Sequence, residues 1–166
     1  MPPAPAPDDL LHLYADRARV RVCGLLVHQG ELLLTAHRGL LPEGQLYWSP
    51  PGGGWHFGET LREGVVREFR EETGLEVQVG RFLHLHEFHG GQLQALELFF
   101  EVTLLDPRAL PRLGSDPEHA PDQQLLTALA WRSPRQLVRL PPQQVHPILR
   151  DLISTDDVYI PQLRLR

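Results

Sequence analysis

Three glutamates crowd the stretch REFREETGL at residues 67–75: Glu68, Glu71 and Glu72. At about 100° per residue a helix carries all three on one face, and Gly64, a turn earlier, leaves room beside them. Like charges at that spacing cost a helix about 0.2–0.5 kcal/mol per pair, so something positive is expected nearby. Leu61, Val65 and Phe69 form an apolar stripe next to the acids. That stripe sets Glu68 and Glu72 at the edge of the buried face, where an uncompensated carboxylate is costly. Arg67 is within helical reach of Glu63 and Glu71 but leans away from Glu72. One arginine does not neutralise three acids. Mg2+ or Mn2+ does so with oxygen ligands and also bridges to substrate phosphates. A solvated acidic helix face is the competing reading of the same charges.

The element that must present these acids has readable ends. Thr60 with Glu63 forms a capping box, and Gly74 stands where a left-handed glycine ends a helix, so a helix is expected over Leu61–Thr73. Before it, Val20–Val27 and Glu31–Thr35 read as strands joined by the turn HQG. A brief strand in LYWSPP is stopped by Pro50–Pro51, and the triple glycine Gly52–Gly54 permits close backbone approach. After the helix, residues 75–88 and 92–105 alternate like two antiparallel strands linked through HGG. Residues 107–121 read as a proline-punctuated loop and residues 125–133 as a further strand. SPRQLVRL and QVHPILRDLI read as short helices, the second interrupted by Pro147. The closing DVYIPQLRLR fits no single element.

Composition narrows the class. With 166 residues the chain is expected to form one domain over residues 10–166, behind a disordered Pro-rich leader at residues 1–9. The formal net charge of −5 and a pI near 6.0 argue against a protein that coats duplex nucleic acid. The single cysteine, Cys23, lies in the apolar run VRVCGLLV and reads as a buried structural thiol, which with the lack of a second cysteine fits a reducing cytosol. No stretch is apolar for long enough to span a bilayer, and the first residues lack the basic and apolar regions of a signal peptide. A cytoplasmic location is expected. All basic residues are arginine, which excludes Schiff-base chemistry on lysine.

The longer stretch GGGWHFGETLREGVVREFREETGL resembles the Nudix box. The family pattern is filled at every defined position by Gly53, Glu59, Arg67, Glu68, Phe69, Glu71, Glu72, Gly74 and Leu75. The resemblance implies an α/β fold, a Nudix-type α/β/α sandwich around a mixed sheet. It implies hydrolysis of a diphosphate bond in a nucleoside diphosphate derivative, with Mg2+ or Mn2+ as cofactor. By position, Glu68 and Glu72 would be the principal metal ligands, with the Gly52 carbonyl completing the shell. Glu71 would be a further ligand or the general base. Arg67 would orient the carboxylates, and Glu59 would act through water or on a second ion. The metal would screen phosphate charge and lower the pKa of an attacking water. The partner implied is a small diphosphate, with homodimerisation common in the family. A non-catalytic nucleotide sensor and an isoprenoid-diphosphate isomerase are the alternatives on the same fold.

Other positions are less defined. His56 stands where many members carry a further Glu, and reads either as a phosphate contact or as an inert substitution. His37 and Arg38 end the second strand and are candidates for substrate phosphate. Many members carry one more acid outside the box, for which Glu97, Glu101, Asp116, Glu118 and Asp122 are the candidates. His84 and His86 alternate on one strand face, where polar strand histidines are weighed against zinc ligands. Tyr47, Trp48, Trp55 and Phe57 flank the glycine loop and serve either to stack on a base or to pack.

Overall fold

A computed structural model describes residues 14–115, 120–121 and 124–165. The expected leader, and Asp116, Glu118 and Asp122, lie outside the described residues. Eight strands form one mixed sheet: β1 (Arg17–His28), β2 (Glu31–His37), β3 (Tyr47–Ser49), β4 (Gly52–Gly54), β5 (Val77–Gly90), β6 (Leu93–Leu104), β7 (Leu126–Arg132) and β8 (Gln162–Arg164). The main path runs β3-β2-β1-β6-β5-β8, with β4 on β1 and β7 on β2. The central β1–β6 pair is parallel, and so is β5–β8. The other pairs are antiparallel. The first two strands outrun the expected ends. Pairing with β6 extends β1 back to Arg17, and pairing with β7 carries β2 on to His37.

Helix α1 (Leu61–Thr73) has the bounds its capping signals predict. The Thr60 hydroxyl accepts the Glu63 N–H at 3.2 Å, and the Glu63 carboxylate accepts the Thr60 N–H at 2.7 Å. Gly74 ends the helix at φ 66°, where a side chain is disfavoured. The last carbonyls of the helix, which have no partner within it, accept N–H groups from a following loop. Arg112 donates to Thr73 at 2.8 Å, Gly114 to Glu72 at 2.9 Å and Ser115 to Glu71 at 3.2 Å. Val65 and Phe69 pack with Val22 and Leu26 of β1 and Phe100 and Val102 of β6 in a first core layer.

The opposite sheet face carries a second core of Cys23, Leu25, Leu34, Leu83 and Phe99. Its cover is thin. Helix α2 (Pro134–Leu137) is one turn, and QVHPILRDLI forms no α-helix. Instead, 3-10 turns occupy Pro142–Gln144 and Pro147–Leu149, and the chain is extended at Val145 and His146. Pro147 has no N–H to continue a helix, so the turn begins there, with His146 as its cap. Ile148, Leu149 and Val158 still reach the core from these turns. The closing segment divides into a 3-10 turn at Thr155–Tyr159 and strand β8. Among the described residues no helix is long and apolar enough to cross a membrane.

Candidate active site

Strand β4 lies antiparallel to β1, with Gly52 opposite Cys23 and Gly54 opposite Arg21. This pairing fixes the triple glycine as backbone against α1 and leaves it no freedom as a loop. The Gly52 N–H donates to Glu72 Oε2 at 3.0 Å. A Cβ on Gly53 would fall 2.6 Å from Glu68 Oε1, so the carboxylate occupies the space a side chain would need. Gly64 makes the same allowance one turn earlier, since its Cβ would sit 2.9 Å from Val22 and 3.0 Å from Glu59 Oε1. The glycines are thus the reason two acids can be buried beside a strand.

Glu68 and Glu72 are 7% and 5% exposed, while Glu71 and Arg67 are half-buried. Burial raises the Glu68 pKa, against the opposing charge and hydrogen bond of Arg67. Arg67 is the hub of the cluster. It donates from Nη1 to Glu68 at 2.7 Å and to Glu71 at 3.2 Å. It donates from Nη2 to Glu59 at 2.9 Å and to the Gly54 carbonyl at 2.8 Å, and from Nε to Glu59 at 3.1 Å. The Arg67–Glu63 pairing expected from helical spacing gives way to Glu59, because Glu63 is spent on the Thr60 cap. Glu59 also accepts the His56 N–H at 2.8 Å, and the Arg67 hydrogen bonds hold its carboxyl below the usual range.

Four acids, one arginine and the Gly52–Gly54 backbone therefore converge. This set is rich in hard oxygen donors. Such a donor set suits a hard divalent cation better than a metal that prefers thiolate or imidazole ligands. Buried Cys23 contributes no nucleophile, since burial raises its thiol pKa.

The remaining candidates sit elsewhere. His56 is exposed at the turn before α1. His37 Nε2 meets the Thr35 hydroxyl at 3.1 Å, and burial, then the neighbouring Arg21 charge, lower its pKa to about 4. Arg38 Nε donates to the Gln124 carbonyl at 2.9 Å, on the approach to β7. Glu101 pairs with Arg81 at 3.0 Å. Trp48 is buried beneath the Arg132 guanidinium, whereas Phe57 is fully exposed. Trp55 donates its indole N–H to the Glu59 carbonyl at 2.9 Å.

Both ring nitrogens of His84 are engaged, one with the Val158 carbonyl at 2.6 Å and one with the Gln162 N–H at 3.1 Å. His86, by contrast, meets Glu97 at 2.9 Å, and His146 meets the same oxygen at 2.8 Å. Two members of this neighbourhood, Arg21 and His146, escaped the sequence reading. Arg21 had a faint signal: in the alternation of β1 it shares the apolar face of Cys23 and Leu25. His146 had none, because only the tertiary fold carries it to β6.

The NUDIX domain profile matches residues 16–154 of the chain. Nudix hydrolase 2 of Arabidopsis thaliana is 28% identical over 147 residues, which is 88% of this chain and 50% of the plant protein. An ADP-ribose pyrophosphatase of Methanocaldococcus jannaschii is 30% identical over 117 residues, covering 60% of this chain and 68% of that relative. The crystal structure of a MutT protein from Methanosarcina mazei superposes with a TM-score of 0.63 at 20% identity, over 86% of this chain and 91% of that one. The chain spans half or less of the length of the first relatives it matches. The chain belongs to the Nudix hydrolase family, and its fold, an eight-stranded mixed sheet with helix α1 on one face, matches solved Nudix structures. Enzymes of this family generally depend on a divalent metal.

Proposed function

We propose that the protein is a divalent-metal-dependent pyrophosphohydrolase that cleaves a diphosphate bond in a small nucleoside diphosphate derivative. The observation that carries this reading is the pair of buried carboxylates, Glu68 and Glu72, held against the Gly52–Gly53 backbone. Relatives named ADP-ribose pyrophosphatase and CTP pyrophosphohydrolase support the substrate class.

Glu68, Glu72 and the Gly52 carbonyl are assigned as ligands of Mg2+ or Mn2+, with Glu71 as a further ligand. When bound, the ion screens phosphate charge and supplies an acidified water. Glu71, half-buried and hydrogen-bonded at Oε2 to Arg67, would take a proton from that water. Arg67 orients Glu68, Glu71 and Glu59 together, and Glu59 in turn braces Arg67 and the turn at His56. His37, Arg38 and His56 are proposed substrate contacts.

The test is a panel of nucleoside di- and triphosphates, nucleotide sugars and dinucleoside polyphosphates, assayed with Mg2+ or Mn2+ for release of phosphate or nucleoside monophosphate. Turnover that is lost in Glu72→Gln is the expected result. No turnover across the panel, or full activity of Glu72→Gln, refutes it.

A further inference from the structure

Glu97 lies in the middle of β6, opposite Arg21 of β1 on one side and His86 of β5 on the other. It is buried, and so are His86 and His146. Its Oε2 meets His86 Nδ1 at 2.9 Å and His146 Nε2 at 2.8 Å. The Ile148 N–H donates to His146 Nδ1 at 3.3 Å, which places the proton of the neutral ring on Nε2 and points a donor at Glu97. These atoms lie within 4.8 Å of one another, as metal ligands also do. Ligands around a tetrahedral zinc at about 2.0–2.1 Å stand about 3.3 Å or more apart. The shorter separations and the protonated Nε2 make the group a hydrogen-bonded anchor instead. Burial would raise the Glu97 pKa, but the two histidine hydrogen bonds outweigh it and hold the carboxyl well below its usual range.

The other oxygen of this anchored carboxylate faces Arg21, with Oε1 at 3.3 Å from Nε. The far arm of the same guanidinium donates from Nη2 to the Gly52 carbonyl at 3.2 Å. The N–H of the same residue, Gly52, donates to Glu72 Oε2 at 3.0 Å. A continuous chain of polar contacts thus runs from His86 and His146 through Glu97 and Arg21 to the backbone that faces the acidic helix. Arg21 sits in the field of Glu97 first, with Glu72 and Glu68 contributing.

We infer that Arg21 is a built-in cation of the acidic site: anchored by Glu97 with His86 and His146, it holds the Gly52 carbonyl and lowers the affinity of the Glu68–Glu72 cluster for a divalent ion. This rests on the assignment of that cluster as the ion's ligands. Arg21 is a positioning residue in this scheme, acting through Gly52 and through its charge. Glu97 keeps the guanidinium at the carbonyl and away from the carboxylates the ion must reach.

Mn2+ binding to the full chain, read from the free-ion electron paramagnetic resonance signal, tests this without turnover. Arg21→Gln is expected to tighten Mn2+ binding about tenfold, the Coulomb scale for removing a unit charge several ångströms from a divalent ion. Arg21→Lys, which keeps the charge, is expected to stay within about threefold of the parent on the same scale. Glu97→Gln is expected to weaken binding, because a guanidinium without its anchor is free to lie across Glu68 and Glu72. The double variant is expected to match Arg21→Gln, since Glu97 acts only through Arg21.

Unchanged or weaker binding by Arg21→Gln overturns the inference, as does equal behaviour of Arg21→Lys and Arg21→Gln. Additive effects in the double variant also overturn it. Near-UV circular dichroism reports folding. If Arg21→Gln does not fold, Glu97→Gln decides, and unweakened Mn2+ binding there is the refuting result. Glu72→Gln separates the two readings: parent-like Mn2+ binding in that variant overturns the ligand assignment itself.

Discussion

Glu72 accepts the Gly52 N–H at 3.0 Å, whereas Glu68 shares Arg67 with Glu59 and Glu71. The two buried acids therefore differ in what steadies them. Glu72→Gln keeps an oxygen for Gly52 but removes a charge from the cluster. Its expected effect is a fall in kcat of about a hundredfold or more, with the fold retained, if the ion carries the charge stabilisation. Gly53→Ala is expected to lower activity by a different route. The added methyl lands 2.6 Å from Glu68 Oε1, so the carboxylate must move or the strand must. Metal titration of that variant is expected to show weakened Mn2+ binding, and thermal unfolding a lowered Tm. At the residue scale the site is made by what glycine leaves open.

Helix α1 is held by both ends and one face, and each contributes separately. Phe69 is fully buried between the helix and β1, against the backbone of Gly24. Phe69→Ala is expected to cost about 3–5 kcal/mol in urea unfolding. At the carboxyl end, Gly74 has φ 66°, so Gly74→Ala is expected to cost about 1 kcal/mol by strain alone. The loop that binds the last carbonyls of α1 passes so close that Gly114 has no room for a Cβ against the Glu71 carbonyl. Positioning of Glu71 and Glu72 therefore depends on a loop outside the box. A proline at position 147 and a histidine cap replace a helix with short turns, yet Ile148 and Leu149 still fill the core.

Over the whole molecule, buried histidines make acid the weak direction. Burial lowers the pKa of His37, to about 4, and also lowers those of His84 and His146. Each is neutral in the fold and takes up a proton more readily when unfolded. Their stabilising contribution is present above the unfolded value near 6.5 and is lost as pH falls through it towards the folded value. Glu97 acts in the same direction at lower pH, because its folded pKa lies below the unfolded one. Stability measured by urea midpoint is expected to decline from about pH 6.5 to pH 4. His37→Gln is expected to flatten part of that decline, since Arg21 and Thr35 are the groups facing the ring. Of all this, the sequence by itself determined the box, the bounds of α1, six of the eight strands and the acids that share a face. Those features depend on local spacing, caps and period, which the chain states directly. Only the tertiary structure decided that the triple glycine is a strand, that Arg67 turns to Glu59, and that Arg21, Glu97, His86 and His146 meet. Those contacts join residues distant along the chain, brought together by the parallel β1–β6 pair and the 3-10 turns, and no local pattern encodes which side chains will face one another there.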